Sequence, residues 1–498
     1  MPASLRTLLA LVVHSRLFGV KRLFQFFRFP MNTTSKTNPR QLHQNKRQRI
    51  GSFPINVEHS GTYLPLNQTI HLRFIKLFLA ICLSTWLLSG CDPDDVERGP
   101  VPDILVTATT SEAIQAAIDA APSTGARIIL PPGDYRATAR VDLTSKNHIT
   151  IDGQGQANWI GSSSVPNLFA VLGTCRTIRL TGINFSTTAL PGNYNYGLLC
   201  TFDQSYIDGY EIDHCRFTSP NAAINLIHFL PYSALSESGN GRGAMQRNIH
   251  IHHCTAINGG RAFCEVNSHV HADNRTETYF EKFRFSHNTV TNMGTQFTDY
   301  GPALSLSGMG NQVVADSNTI TDTKYCGLEF VNIQQVSCTG NLFVGEQNVF
   351  NGISFSRAAT GKNTDIRLIN NSGTVKGRAY LLHDIESFSV TGGTFRAGQK
   401  IEVIRAKNGF LDQLSMTISN DVNAMLIAQS EAVSLRNTTL RMTDATAPGS
   451  VIVIPNSSRS ILIRDNTLAR PAGAVGNFIQ SEISSNNTIG PNIEQFNQ

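Results

Sequence analysis

The sequence predicts an all-β solenoid, a single-stranded parallel β-helix of about 11–12 coils with an N-terminal capping helix. A degenerate unit, apolar-x-apolar-x-x-Asn-x-apolar, recurs about every 20 to 40 residues from Ile178 to Ile489. It reads IRLTGINF at 178–185, YEIDHCRF at 210–217, IHIHHCTA at 249–256, FRFSHNTV at 283–290 and ILIRDNTL at 461–468. Each unit holds two short alternating segments around a polar Asn, Cys or Thr, and a third, often Gly-led strand follows a variable loop, as at Gly197–Phe202, Gly260–Val266, Gly301–Leu306 and Gly327–Val331. These runs are too short for helices and rich in β-branched residues. In stacked coils the apolar side chains turn inward, and a buried Asn at each tight bend pairs its amide with the Asn of the next coil.

The chain has 498 residues and a net charge of +5, but the charge is unevenly placed. Residues 1–90 carry 12 Lys and Arg against one acid, leaving 29 against 35, about −6, for the remainder. A slightly acidic body without a clustered basic face gives no case for nucleic acid as a partner. Residues 1–70 show no periodicity and are expected to be an over-extended start or a segment lost on export. Residues 71–91 contain Arg73 and Lys76, a short apolar run to Leu88, and Leu88-Ser89-Gly90-Cys91. This segment resembles a bacterial lipoprotein signal, which implies lipidation at Cys91, export and a membrane anchor. Asp92 resembles an inner-membrane retention signal, whereas the run Asp92-Pro93-Asp94-Asp95 resembles a surface-export signal, so the leaflet stays open. Residues 92–105 read as a tether and 106–498 as the β-helix domain, expected to be monomeric.

Ser111 to Ala121 is the one clear amphipathic helix, with Ile114, Ala117, Ile118 and Ala121 on one side and Ser111 or Thr110 as its cap. The order IQAAIDAA, then IILPPGDYR, then ITIDGQG resembles the opening of the pectate-lyase-like superfamily of right-handed parallel β-helices. That resemblance implies the fold over 105–490 and a carbohydrate-active or adhesive role. Asp213, in Tyr210-Glu-Ile-Asp-His-Cys, is similar to the calcium-holding Asp of pectate lyases and implies a metal ligand, with Ca2+ needed only by a lyase and no cofactor otherwise. The lyase arginine segment R-x-P-x-x-R is missing, and His252-His253-Cys254 repeats the same form one coil later, which is also what an ordinary bend would look like. His269, His271 and Asp273 form a second compact metal-like spacing. Seven cysteines beyond Cys82 and Cys91 show no C-x-x-C spacing, and reduced core residues are expected rather than a zinc site or disulfides.

Loop length points to the site. Early repeats span about 30–39 residues and late ones about 21–22, the additions falling at Ser186–Tyr196, Pro231–Arg247, Ser268–Lys282 and Asn292–Tyr300. They are expected to wall a groove along the Gly-led strand, with Tyr194, Tyr196, Tyr279 and Phe263 stacking on sugars. Alternation places Glu329 outward between Leu328 and Phe330, and Arg261, Phe263 and Glu265 outward beside Ala262, Cys264 and Val266. Asn225, His228 and Ser305 belong to the same outward set. One coil between the two glutamates separates them by roughly 10 Å, near the spacing of inverting glycosidases. Asp299, Tyr300, Lys324 and Tyr325 stand immediately before the groove strands; an elimination would use Lys324 or Tyr325 as base and Arg261 or a metal to neutralise a uronate. The expected function is a polysaccharide-binding and polysaccharide-cleaving protein, hydrolase before lyase, with a non-catalytic glycan-binding module as the alternative.

Overall fold

The computed structural model describes residues 101–497 apart from 163, 166, 188–196, 203–204, 232–245, 268–277, 346, 349, 358–360, 444–448, 473–476 and 483–485. The signal with Cys91, the tether before Val101, Tyr194, Tyr196, and the His269, His271, Asp273 triplet therefore lie outside the described residues.

The short alternating runs form strands that pair in parallel with the coil before and the coil after, giving a right-handed parallel β-helix. The groove sheet runs from Val141–Thr144 through Gly197–Thr201, Asn225–Phe229 and Cys264–Asn267 to Ile479–Ser481. A second sheet runs from Asp103–Leu105 through Tyr206–Asp213 and Gln246–His252 to Thr488–Ile489. A third joins Gly133–Arg136, Arg216–Ser219, Thr255–Gly259 and Ile493–Asn497. Four longer strands, among them Leu304–Asp316 and Tyr325–Thr339, bend from one sheet into the next. The helix Ser111–Ala120 lays Ile114, Ala117 and Ile118 over the first coil, and Thr110 caps it by accepting from Ala113 N at 3.2 Å. A stacked solenoid leaves its first apolar layer open, and this helix closes it.

At the bend between the second and third sheets the chain takes the left-handed conformation, at His214, His253, His287 and Ser317, and the following residue turns into the core. There the expected amide column forms. Nδ2 of Asn288, Asn318 and Asn341 donates to Oδ1 of the next Asn in line, ending at Asn371, at 3.1, 2.9 and 2.9 Å. Each amide also donates to a carbonyl of the preceding coil, so a buried polar side chain is satisfied on both sides. Cys215 and Cys254 take this position in earlier coils, and all seven described cysteines are buried and free. The equivalent of Cys215 one coil earlier is Ile183 rather than Asn184, because Arg216 pairs with Asn184. Asn184 instead joins an outer ladder with Asn158 and Asp134.

Phe263 is a correction. Expected on the groove face, it is fully buried in the core, 5.4 Å from the Phe217 ring and 5.8 Å from Phe285. The chain enters this strand irregularly, so alternation holds from Cys264 onward and fails one residue before it. Phe263 continues an aromatic stack that begins with Trp159, Phe185 and Phe217.

Candidate functional site

The register of the groove sheet sets one outward column: Cys200, His228, Glu265, Ser305, Glu329, Ser354, Leu381 and Glu402 face the same way in successive coils. Their chain neighbours Cys264, Val266, Leu328 and Phe330 fill the core, so the alternation that assigned Glu265 and Glu329 outward holds. Both acids are nonetheless covered, at 4% and 8% exposure. An open, solvent-facing pair was expected; other side chains instead lie across them.

Glu265 is held by four donors. Asn225 Nδ2 reaches Oε2 at 2.6 Å, Arg261 pairs with both oxygens, and the Tyr300 hydroxyl donates to Oε1 at 3.1 Å. Asn225 is itself wholly buried, its Oδ1 accepting from Arg261 and from the Ala262 backbone. Two rungs on, Glu329 accepts from Ser305 Oγ at 2.6 Å. Burial pushes its pKa up and the Glu265 charge adds to this, while the hydrogen bonds from Ser305 and Tyr325 oppose it. Tyr300 and Tyr325 stack at 5.8 Å between the two acids, and Arg261 lies 4.7 Å over the Tyr300 ring. Burial drives both phenols well above their ordinary range, assisted by the glutamate charges. Arg261, Asn225, Tyr300, Tyr325, Glu265 and Glu329 thus form one connected network. His228 pairs in register with Glu265 and is 1% exposed.

Gly294 and Gly301 place Tyr300. At φ +85° and +156° they close the neck of the loop, and a Cβ on Gly301 would come within 2.3 Å of Gly294 Cα. Beside this network an open cavity of about 490 Å3 is lined by Asp299, Lys324, Tyr325, Asn351, Arg378 and Gln399. Asp299 is exposed there, and Lys324 Nζ donates to the Phe297 carbonyl. Below it Arg378 donates to Gln399 at 2.7 Å and to Glu402 at 2.9 Å, with His383 3.2 Å from the same carboxylate. Burial works against ionisation of Glu402, but the His383 hydrogen bond and the Arg378 charge outweigh it and lower its pKa. This second polar group was missed. Glu402 stands between Ile401 and Val403, both core residues, and the alternation used for Glu329 identifies it equally well.

Asp213 lies on the second sheet, outside this network. It accepts from Arg179 Nε and Nη2 at 2.9 and 2.8 Å and from Thr181 at 3.1 Å, with His214 Nδ1 at 2.6 Å. Burial resists its ionisation, yet the Arg179 and His214 contacts hold its pKa at about 2. Calcium takes six to eight oxygens. Asp213 with its neighbour Glu211 offers far fewer oxygens than that, so the residues here do not fit that ion.

No protein-family model matches the chain, and no curated protein matches it. Among solved structures it is similar to the A-module of the mannuronan C-5 epimerase AlgE6 of Azotobacter vinelandii, at 13% identity over 78% of this chain and 96% of that one, TM-score 0.39. It is also similar to PfbA, a surface adhesin of Streptococcus pneumoniae, at 12% identity over 74% and 87%, TM-score 0.47. A mutant tailspike protein of E. coli bacteriophage HK620, solved with a pentasaccharide, matches at 13% identity over 76% and 74%, TM-score 0.44. No residue correspondence follows from likenesses at this level.

Proposed function

We propose that the groove sheet binds an extended glycan and that Glu329 and Glu265 hydrolyse a glycosidic bond within it. The observation that carries this reading is the Glu329 carboxyl, raised toward its protonated form, standing two rungs from the cation-paired Glu265 on one outward column. Environments that differ in this way divide acid and base roles between two carboxyls. Glu329 would protonate the leaving oxygen, and Glu265 would activate water from the far side, across roughly 10 Å of sheet. Elimination is less well supported, since burial makes the Tyr325 phenol a reluctant base and Lys324 is engaged with the Phe297 carbonyl. The similar structures include a mannuronan epimerase, a tailspike solved with a pentasaccharide and a surface adhesin, which is compatible with a glycan partner. The proposal extends to an exported, monomeric protein anchored through Cys91.

The burial of both glutamates favours a second reading, in which the groove holds glycan without cleaving it. A polysaccharide panel separates the two. Hydrolysis predicts new reducing ends without absorbance near 235 nm from an unsaturated uronate, and loss of turnover with retained binding in Glu329→Gln and Glu265→Gln. Binding without turnover of any glycan by the wild type would establish the module and end the hydrolase proposal.

A further inference from the structure

The outer face of the second sheet carries a histidine and carboxylate cluster that the groove chemistry does not use. In successive coils Glu211 pairs in register with His250, and Asp213 with His252. Glu211 Oε1 lies 2.9 Å from His252 Nε2, and one donor atom from each of Glu211, Asp213 and His252 falls within 4.8 Å of the other two. The remaining nitrogen of His252, Nδ1, faces His253 Nδ1 at 2.8 Å. The His253 ring is stacked between His214 at 5.2 Å and His287 at 4.9 Å, each within 3° of parallel. His250 lies 4.0 Å from His252 and is fixed by Ser286 Oγ at 2.9 Å. An open cavity of about 410 Å3, lined by Arg179, Glu211 and His250 among others, reaches the Glu211 edge of the cluster.

We propose that Glu211, Asp213 and His252 bind a divalent transition-metal ion of the Zn2+ or Cu2+ type, which ties the coil of Tyr206–Asp213 to the coil of Gln246–His252. An imidazole nitrogen with two carboxylates is a borderline donor set, suited to these ions, with water completing the shell. It falls short of the oxygen cage that calcium needs. Arg179 shares the Asp213 carboxylate, so the cluster keeps about one negative charge for the cation rather than two uncompensated ones. Binding takes the Nε2 lone pair of His252, so a proton on that nitrogen leaves for solvent or for Nδ1; no bond to carbon changes and no electron moves. With Nε2 on the ion, the ring proton of His252 sits on Nδ1 and faces His253 Nδ1, the outer contact by which metal-bound histidines are oriented. The two flanking rings hold His253 in place for that contact.

The test is titration of the full-length protein with ZnCl2, followed by calorimetry and by the thermal unfolding midpoint. One ion per chain is expected, with a midpoint that rises as Zn2+ is added and no competition from equimolar CaCl2. Glu211→Gln and His252→Ala should each weaken binding at least about tenfold and lose the midpoint shift, and His253→Ala should weaken it by about tenfold through orientation. Glu211 is partly exposed and its amide keeps the side-chain shape, so this variant reports even if His252→Ala folds poorly. His269→Ala should bind as the wild type does. Absence of saturable Zn2+ binding, binding unchanged in both Glu211→Gln and His252→Ala, or binding lost in His269→Ala would each overturn the site.

Discussion

The Tyr300 hydroxyl donates to Glu265 Oε1 over 3.1 Å while the same ring carries the Arg261 guanidinium 4.7 Å above it. One side chain therefore both orients a carboxylate and covers its counter-ion. Tyr300→Phe removes the donor and keeps the ring. Stability should fall by about 1 kcal/mol in urea unfolding. On any glycan the protein cleaves, kcat should fall roughly ten- to a hundredfold with KM little changed. An unaltered kcat would remove Tyr300 from the positioning machinery.

The raised pKa of Glu329 gives stability a definite slope with pH. The folded state holds this proton more tightly than the unfolded chain, whose carboxyl titrates near the ordinary 4.5. Between those two values the native state binds more protons, so the Glu329 contribution declines as pH rises from 4.5 through the folded value. Glu329→Gln should flatten that decline and unfold at higher urea than the wild type at pH 7 while losing turnover. A steeper decline in the variant would contradict the assignment.

Asn341 sits in the middle of the amide column, accepting from Asn318 and donating to Asn371 and to the Ala315 carbonyl. Asn341→Ala strands the buried Asn318 backbone N–H and one of the two N–H groups of its side-chain amide. The expected loss is about 1–3 kcal/mol for each group left unpaired, read from denaturant midpoints. Asn420, exposed and outside the left-handed region, is the control: its alanine variant should fall within about 0.5 kcal/mol of wild type.

Phe263 distinguishes core from groove. Its burial against Phe217 and Phe285 predicts a cost of about 3–5 kcal/mol for Phe263→Ala. A variant of native stability with weakened glycan binding would return the ring to the groove.

The fold was legible because coil stacking repeats one pattern many times, so local errors average out: the capping helix, the three strands per coil and the Asn column all follow from spacing. The site was partly legible. Two-residue alternation places Glu265 and Glu329 correctly, because Cys264, Val266, Leu328 and Phe330 anchor the count on both sides. It fails for Phe263, where the strand has not yet begun. Burial of the two acids was not legible, because Tyr300 and Tyr325 reach them through a loop whose course depends on Gly294 and Gly301 rather than on any periodicity. Asp213 shows the converse limit: its motif is visible in sequence, but Arg179, one coil earlier, sets the surroundings of the carboxylate.

The asparagine column also governs how a protein of this kind can change length. Each amide from Asn288 to Asn341 is spoken for on both sides, so cutting a turn partway would orphan donors at the seam. Excising or duplicating a whole turn rejoins like to like. Size is therefore free to vary here only in complete steps, whereas the loops between bends can lengthen one residue at a time.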